Sequence, residues 1–219
     1  MPPAAVLFDL DDTLADRAAG LRRYARFFAE DFGAQLLPSL SETIHATLTR
    51  LDDFGSLAQA EALSAALPWR SPVDPQILFD HWAGRFGAAA VAFDDVEPVL
   101  RALQRRRIRM GLVTNGGAAM QRAKIAALGL ERYMSVIIIS SETGLRKPDA
   151  AIFRRAMAEL DCETSGTWFV GDHPDLDVRA AHAAGLQAFW VRTGAFDAPD
   201  DLPGRRLDRL SDLLKYVDD

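Results

Sequence analysis

One short stretch near the start of the chain constrains the fold more than any other, because an apolar run stops there at a group of carboxylates. Residues 4–8, A-A-V-L-F, have the length and the β-branched or aromatic character of a buried strand. Asp9, Asp11 and Asp12 follow directly. A parallel strand would carry these acids to its C-terminal end, the edge at which open α/β sheets bind ligands. Like charges crowded at that edge indicate a bound cation or a reaction.

The residues after this acidic group have a helical period. Apolar side chains recur on one face of a first helix, which Asp16 would cap and Gly33 would end. Prolines at the break around 37–38 and in the loop L-P-W-R-S-P-V-D-P separate the later helices. These later helices are predicted at about 40–51, 56–66 and 75–86. We therefore expect a small helical bundle, residues 16–87, inserted directly after the acidic strand end.

From Asp94 onward, short apolar strands alternate with helical stretches, as they do in βαβ units. The predicted strands are 108–115, 136–140, 167–170 and 188–192, and the predicted helices are 94–107, 118–128, 148–160, 176–184 and 211–217. Right-handed crossovers would place the C-terminal ends of all these strands on one edge. The expected fold is therefore α/β, a Rossmann-like parallel sheet flanked by helices. Residues 1–15 and 88–219 would form this core.

Composition narrows the class of protein further. The chain has 219 residues, 49% of them apolar and 26% charged, which suits a soluble globular protein with a real core. The net charge of −6 comes from acids scattered among basic residues, so we expect no nucleic-acid partner. The single cysteine, Cys162, excludes an intramolecular disulfide framework and a cysteine-based zinc site. No signal peptide pattern or membrane-length apolar run is present, which predicts a cytoplasmic protein without a membrane partner.

The conspicuous polar residues of the predicted core lie at or just after strand ends. They come from four separate places in the chain: Asp9, Asp11, Thr114, Asn115, Lys147 and Asp172. Carboxylates of Asp9 and Asp172, with a backbone carbonyl near Asp11, suit a hard cation such as Mg²⁺. Lys147, Thr114 and nearby backbone N–H groups suit a phosphate. The combination predicts an anionic substrate that is neutralised beside an acidic nucleophile.

Four motifs carry a resemblance to the haloacid dehalogenase superfamily, in the order and spacing of that family: F-D-L-D-D-T-L, V-T-N-G, K-P-D and G-D-x-x-x-x-D. The resemblance covers essentially the whole chain, since the helical stretch 16–87 is similar to the cap of the subgroup whose insertion lies at that point. It implies a Mg²⁺ cofactor and, as substrate, a small phosphorylated metabolite. The second acid of the first motif, Asp11, is typically absent from the dehalogenase branch, because a halide leaving group needs no protonation. A phosphatase is therefore favoured.

The resemblance also implies a role for each catalytic residue. Asp9 would be the nucleophile that attacks phosphorus and forms an aspartyl-phosphate. Asp11 would protonate the leaving oxygen and would then take a proton from the water that hydrolyses the intermediate. Lys147 would balance charge between Asp9 and the phosphoryl oxygens.

Substrate and metal contacts are implied in the same way. Thr114 would hydrogen-bond the phosphoryl group, and Asn115 and Gly116 would offer neighbouring contacts. Asp177 would act one step away from the ion, on a ligand or on a metal-bound water. The implied metal ligands are Asp9, Asp11 and Asp172.

Alternatives to the phosphatase stay open. A phosphoryl-transferring sugar-phosphate mutase would use the same Asp9 and Asp11 but would return the phosphoryl group to a sugar. A non-catalytic binding or regulatory module of the same fold would be expected to lack at least one catalytic residue. The specific substrate and the choice between monomer and homodimer are not predicted.

Other conspicuous residues are interpreted as structural. Asp175 is expected to cap the helix that follows it, and His173 to shape the loop rather than to bind a metal. Arg17 is expected on a solvated helix face. Trp69 and Trp82 are candidates for a specificity pocket between cap and core, although aromatic side chains mostly serve burial.

Overall fold

A parallel β-sheet forms the centre of the molecule. The computed structural model describes residues 2–37, 41–50, 57–194, 196–197 and 199–218. Its strands are β1 Ala5–Phe8, β2 Arg109–Thr114, β3 Val136–Ile139, β4 Thr167–Gly171, β5 Gln187–Val191 and β6 Arg205–Leu207. They pair in parallel in the order β3-β2-β1-β4-β5-β6. The predicted parallel sheet is thus confirmed; β6, with only three residues, was too short for the pattern to reveal it.

The register of the sheet brings the strand ends together around β1. Phe8, the last residue of β1, lies beside Leu112 of β2 and Val170 of β4. The backbone N–H of Asp9 still donates to the carbonyl of Val170, at 2.9 Å. Asp9 therefore leaves the sheet between the ends of two neighbouring strands, where residues from both sides can reach it.

The helices in the described part of the chain include one near each of the nine predicted positions, and one short helix, Ser140–Thr143, was not predicted. They are α1 Arg17–Phe32, α2 Ser41–Arg50, α3 Leu57–Ala66, α4 Pro75–Arg85, α5 Val96–Arg105, α6 Ala118–Ala127, α7 Ser140–Thr143, α8 Ala150–Leu160, α9 Ala180–Ala183 and α10 Leu213–Val217. Asp16 caps α1 by accepting a hydrogen bond from the N–H of Ala19, at 2.7 Å, and Gly33 ends that helix as predicted. None of the helices in the described ranges is long and apolar enough to cross a membrane.

Some predicted boundaries lie outside the residues that the structure describes. These are the helix limits at Leu40, Leu51 and Ser56 and the break at Pro38.

Two predicted helix starts were wrong. The helix expected from Pro148 begins after Asp149, whose carboxylate accepts from the N–H of Ala151 at 2.8 Å. The helix expected over 176–184 instead starts as a π-helical turn, Pro174–Arg179, which leads into α9. That turn is capped by Nδ1 of His173, which accepts from the N–H groups at positions 175 and 176; Asp175 supplies a donor and not the cap.

The two faces of the sheet carry separate apolar cores. Side chains of β1 alternate between them: Val6 and Phe8 face the side of α5 and α10, and Ala5 and Leu7 face the side of α8 and α9. All four are fully buried. Helices on both faces explain why the first strand is a continuous apolar run and not an alternating one.

A third apolar cluster lies within α1–α4 and the residues that follow them. The ring of Tyr24 meets Trp82 at 4.8 Å and Phe86 at 5.7 Å, both edge to face. The hydroxyl of Tyr24 pairs with Nδ1 of His81 at 2.8 Å, and Nε2 of the same ring pairs with Asp31 at 2.9 Å. This helical segment therefore has an interior of its own, distinct from the two cores of the sheet.

Candidate active site

The C-terminal edge of the sheet brings the predicted strand-end residues into one cavity. Its volume is about 260 Å³. Among the residues that line it are Asp9, Asp11, Thr114, Lys147, Asp172 and Asp177. They come from the segment after β1, the last residue of β2, the loop before α8 and the segment after β4. The fold thus brings together the four places that the sequence analysis predicted to converge.

Lys147 forms the centre of a buried ion cluster. Its Nζ donates to Asp9 Oδ1 at 2.5 Å and to Asp177 Oδ1 at 2.6 Å. The other oxygen of Asp177 accepts from the backbone N–H of His173 at 3.0 Å. The absent side chain of Gly171 is essential to this arrangement, because a Cβ there would lie 2.5 Å from atoms of Asp177. Asp177 thus fixes the ammonium beside Asp9.

Three carboxylates in this cluster share a small space. Asp9, Asp172 and Asp177 each offer an oxygen within 4.8 Å of the others. Burial raises the pKa of Asp9 to about 7, with a further contribution from Asp177, although Lys147 opposes the shift. Burial and the charges of Asp9 and Asp177 raise the pKa of Asp172 to about 8. One ammonium does not offset three acids, and an all-oxygen donor set of this kind fits a hard divalent cation such as Mg²⁺.

Asn115 holds the loop that carries Lys147. Its Nδ2 donates to the carbonyl of Lys147 and its Oδ1 accepts from the N–H of the same residue, both at 2.9 Å. The N–H of Gly116 donates to Ser140 Oγ at 3.0 Å. The amide of Asn115, predicted as a substrate contact, therefore positions the lysine in this structure, while substrate contacts from Asn115 and Gly116 stay predictions.

Asp11 faces a different set of partners, on α6. Its Oδ1 accepts from Nζ of Lys124 at 2.6 Å, and its Oδ2 accepts from Nε2 of Gln121 at 3.0 Å. Burial alone would raise the pKa of Asp11, but the charge and hydrogen bond of Lys124, with the hydrogen bond from Gln121, hold it below its ordinary value. The same Nε2 donates to Thr114 Oγ1 at 2.7 Å. One amide therefore links the acid Asp11 to the predicted phosphate-binding hydroxyl.

Gln121 and Lys124 were not predicted as site residues, because the predicted site consisted of residues at strand ends and in the loops after them. Both side chains are nearly fully buried, at 2% and 5% exposure, although they stand on a helix rich in alanine. Their spacing of three residues places them on one face of that helix. The available signal was a pair of long polar side chains on one face of the helix that follows V-T-N-G.

A second, larger cavity of about 480 Å³ adjoins the first. Both cavities are lined by Asp11, Arg17 and Asn115. Trp82, a predicted candidate for a pocket, contributes to the wall and stacks on Phe86 with 3.9 Å between ring centroids. Arg17, expected on a solvated face, instead lies half-buried with its guanidinium 5.6 Å from the centre of the Phe86 ring.

Comparison with known proteins agrees with this geometry. Residues 6–191 match the family model described as haloacid dehalogenase-like hydrolase. A phosphoserine phosphatase of Thermus thermophilus is 30% identical over 241 residues, which cover 95% of this chain and 97% of the relative. A plasmid phosphoglycolate phosphatase of Cupriavidus necator is 32% identical over 219 residues, which cover 99% of this chain and 92% of the relative.

Solved structures have the same fold. A magnesium-bound HAD hydrolase of Bacillus subtilis, YfnB, superposes with a TM-score of 0.81 at 20% identity, over 100% of each chain. A 2-haloacid dehalogenase of Pseudomonas syringae superposes with a TM-score of 0.65 at 27% identity, over 100% of this chain and 99% of its own.

Proposed function

Because the chain belongs to the haloacid dehalogenase-like hydrolase family, we propose that it is a Mg²⁺-dependent phosphatase that hydrolyses a small phosphorylated metabolite. The relatives that match nearly the whole chain at 30% and 32% identity are phosphatases. One observation carries the proposal to this site: the buried Asp9 and the half-buried Asp11 leave the same strand into separate surroundings, one beside Lys147 and the other beside Lys124.

The first half of the reaction transfers the phosphoryl group to the protein. A carboxylate oxygen of Asp9 attacks phosphorus, and the bond from phosphorus to the leaving oxygen breaks. The negative charge of the bound phosphate favours protonation of Asp11. In its protonated form Asp11 gives its proton to that oxygen, so the product leaves as an alcohol. Lys147 and the hydroxyl of Thr114 stabilise the charge that develops on the phosphoryl oxygens.

The second half removes the phosphoryl group from Asp9. Asp11, now ionised, takes a proton from a water molecule as that water attacks phosphorus. The bond between phosphorus and the Asp9 carboxylate then breaks, which releases inorganic phosphate and restores both acids. The same side chain acts first as acid and then as base, as its position next to the nucleophile requires.

Asp9 and Asp172, with the backbone carbonyl of Asp11, would hold Mg²⁺. When bound, the ion supplies positive charge that offsets the phosphoryl group and the clustered carboxylates. Asp177 would stay with Lys147, to which it is already hydrogen-bonded. The raised pKa values of Asp9 and Asp172 support the assignment, since burial and neighbouring acids disfavour their ionised forms and a bound cation would stabilise them.

Residues 16–87 would act as a cap over a core formed by residues 1–15 and 88–219. The separate apolar cluster of α1–α4 supports this division. So does the larger cavity, which lies between α4 and the start of α6, next to the catalytic residues. A cap in this place would exclude bulk water from Asp9 and would contact the leaving group.

The acid at position 11 separates this proposal from a dehalogenase, to which some structural neighbours correspond. A halide departs without a proton, whereas an alkoxide needs one. Asp11 is hydrogen-bonded within the site and lines both cavities, so it lies where a leaving oxygen would be protonated.

Phosphate release from a panel of metabolite phosphates, with Mg²⁺, tests the proposal. The wild type should release phosphate, and Asp9→Asn should lower the rate by at least ~10³-fold, since the nucleophile is lost. Asp80→Asn, on the exposed surface of α4, is the matched control and should keep full activity. Circular dichroism would show that both variants are folded. A wild type with no turnover on the whole panel would refute the phosphatase, and isomerisation of a hexose phosphate without net phosphate release would indicate a mutase.

A further inference from the structure

The larger cavity has an apolar interior beside the catalytic residues. Helix α4 contributes Phe79 and Trp82, and Phe86 follows directly after its end. The start of α6 contributes Ala119 and Met120 from the opposite side. Phe79 and Met120 are half-buried, so each keeps part of its surface free to contact a ligand. A cavity of about 480 Å³ is within the range of sites that bind small molecules.

Charged residues in this lining are confined to the end next to the catalytic cavity. Asp11 and Arg17 line both cavities, and Lys124 is bonded to Asp11. Both cations act on acids: Lys124 pairs with Asp11 at 2.6 Å, and the charge of Arg17 interacts with Asp11 and Asp12. A leaving group that extends past Asp11 therefore meets aromatic and aliphatic surface, where an unpaired carboxylate would lose its hydration.

Resting on the proposed phosphatase activity, we propose that this cavity binds the leaving group and selects phosphate monoesters of uncharged alcohols that carry an aromatic ring. The ester oxygen lies at Asp11, and the ring lies between α4 and the start of α6. Small carboxylated alcohols, whose charge finds no partner beyond Asp11, are the disfavoured class.

A pair of primary alkyl phosphates tests the proposal. With Mg²⁺, kcat/KM for benzyl phosphate should exceed that for 2-phosphoglycolate by at least ~10-fold, the size of effect that apolar pocket contacts supply. Phe79→Ala should lower kcat/KM for benzyl phosphate by about 10-fold and leave 2-phosphoglycolate nearly unchanged. Ile77→Ala, on the same helix with the side chain 54% exposed, is the control and should change neither.

A second variant keeps the test valid if Phe79→Ala is poorly folded. Ala83 is exposed on α4 and lines the cavity, so the Ala83→Lys variant should fold. It should lower the ratio of kcat/KM for benzyl phosphate to kcat/KM for 2-phosphoglycolate. A preference for 2-phosphoglycolate in the wild type, or equal losses on both esters in Phe79→Ala, would overturn the inference while leaving the phosphatase intact. No turnover of either ester, nor of 4-nitrophenyl phosphate, would instead remove the proposed function itself.

The hydrogen bonds of Asp11, the proposed acid–base residue, support a second inference that does not depend on the apolar cavity. Each carboxylate oxygen of Asp11 has its own donor, Lys124 at 2.6 Å and Gln121 at 3.0 Å. The amide of Gln121 is held in turn by Thr114 at 2.7 Å and by the carbonyl of Asn115 at 3.3 Å. Lys124 also lies 5.5 Å from the ring centre of Phe86. The carboxyl group is therefore fixed in orientation from two sides.

From this arrangement we infer that Gln121 and Lys124 are positioning residues, which aim the carboxyl group of Asp11 at the leaving oxygen. Gln121 also fixes the position of Asp11 relative to Thr114, because its Nε2 donates to the side chains of both residues. Neither residue takes part in bond making. Their contribution should matter only where the leaving group needs a proton.

The dependence of kcat/KM on the leaving group tests this role, because kcat/KM reports the steps up to departure of the alcohol. Lys124→Met and Gln121→Met should lower kcat/KM for alkyl phosphates by ~10–100-fold, and for 4-nitrophenyl phosphate by less than ~3-fold, since nitrophenolate leaves without protonation. Arg122→Met is the control: it removes a cation that pairs with Glu142 on the surface of the same helix. Equal losses on both substrate types would show a merely structural role and would overturn the inference.

Discussion

Asp9 and Asp11 are two residues apart and have the same side chain, yet the fold gives them opposite electrostatic surroundings. Asp9 lies in a cluster with two further carboxylates and a single ammonium, and burial raises its pKa to about 7. Asp11 is half-buried; burial would raise its pKa, but Lys124 and Gln121 hold that pKa below the ordinary value. Positive charge is deficient around the first acid and already supplied around the second.

This difference shows how one strand end supports two chemical roles. Without Mg²⁺ the two pKa values run opposite to these roles, since the nucleophile Asp9 has the raised pKa and the acid Asp11 the lowered one. Bound Mg²⁺ would lower the pKa of Asp9. The division of roles comes from elements distant in sequence: Lys147 precedes α8 and Lys124 stands on α6. The local motif places the acids, and the rest of the core makes them different.

Removal of Lys147 should disrupt the ion cluster around Asp9 and give the largest effect. Lys147→Met leaves Asp9 and Asp177 buried without their shared cation, and loss of one member of a buried ion pair costs about 3–5 kcal/mol of unfolding free energy. Phosphate release should fall by ~10²–10³-fold, because an electrostatic donor to the phosphoryl oxygens is lost. Urea unfolding and a phosphate-release assay measure the two effects. Arg155→Met, on the exposed surface of α8, is the control; wild-type stability in Lys147→Met would contradict the buried cluster.

A methyl group at position 171 should disturb the same cluster indirectly. In Gly171→Ala the new Cβ would lie 2.5 Å from Asp177, which must move away from Lys147. We expect activity to fall by ~10-fold and unfolding free energy by about 1–3 kcal/mol, as for other overpacked sites. Gly84→Ala, where a Cβ meets nothing within 4 Å, should be neutral or slightly stabilising. If both variants behaved alike, Asp177 would have no part in orienting the lysine.

Metal-free protein should become less stable as the pH rises. Asp9 and Asp172 have folded-state pKa values of about 7 and about 8, above the ordinary value of 3.8. Between about pH 4 and pH 8 the folded state therefore binds more protons than the unfolded state, and its stability falls with increasing pH. Mg²⁺ binds the ionised carboxylates, so it should raise the melting temperature more at pH 8 than at pH 5.5.

Thermal unfolding with and without Mg²⁺ at these two pH values checks the sign. Asp172→Asn removes one of the two acids and should flatten the pH dependence. An Mg²⁺-induced shift in melting temperature that is the same at both pH values would exclude these acids as the ligands.

The sequence predicted the Asp9 side of the site far better than the Asp11 side. Asp9, Lys147 and Asp172 follow strands or lie in short loops, where the parallel topology alone requires them to meet. Gln121 and Lys124 act from the interior of a helix. Their contact with Asp11 depends on the rotation of α6 about its axis, and the helical period leaves that rotation undetermined until the helix packs.

The helical cap and the larger cavity were also predictable only in outline, because they too depend on how helices pack. Periodicity indicated helices after the first strand, and the third apolar cluster fits them. Which aromatic residues face the core, however, depends on how α4 docks. Trp82 lines the cavity, whereas Trp69 packs inside the helical cluster and donates its indole N–H to Ser64 at 2.9 Å.

Asp12, the third acid of the strand end, should give the smallest effect, because its role lies in the backbone. Its φ of 56° is in the left-handed region, which glycine and aspartate tolerate better than other residues. Asp12→Gly removes that strain but also loses the hydrogen bond from the N–H of Arg17, so unfolding free energy should change by less than about 1 kcal/mol. Asp12→Ala loses the bond and keeps the strain, and should cost about 1–2 kcal/mol. Because neither variant removes a hydrogen bond to the carboxylate of Asp9 or Asp11, kcat should stay within ~3-fold of wild type in both. A large loss of kcat in Asp12→Gly would show that this carboxylate takes part in the chemistry, which would then not be divided between Asp9 and Asp11 alone.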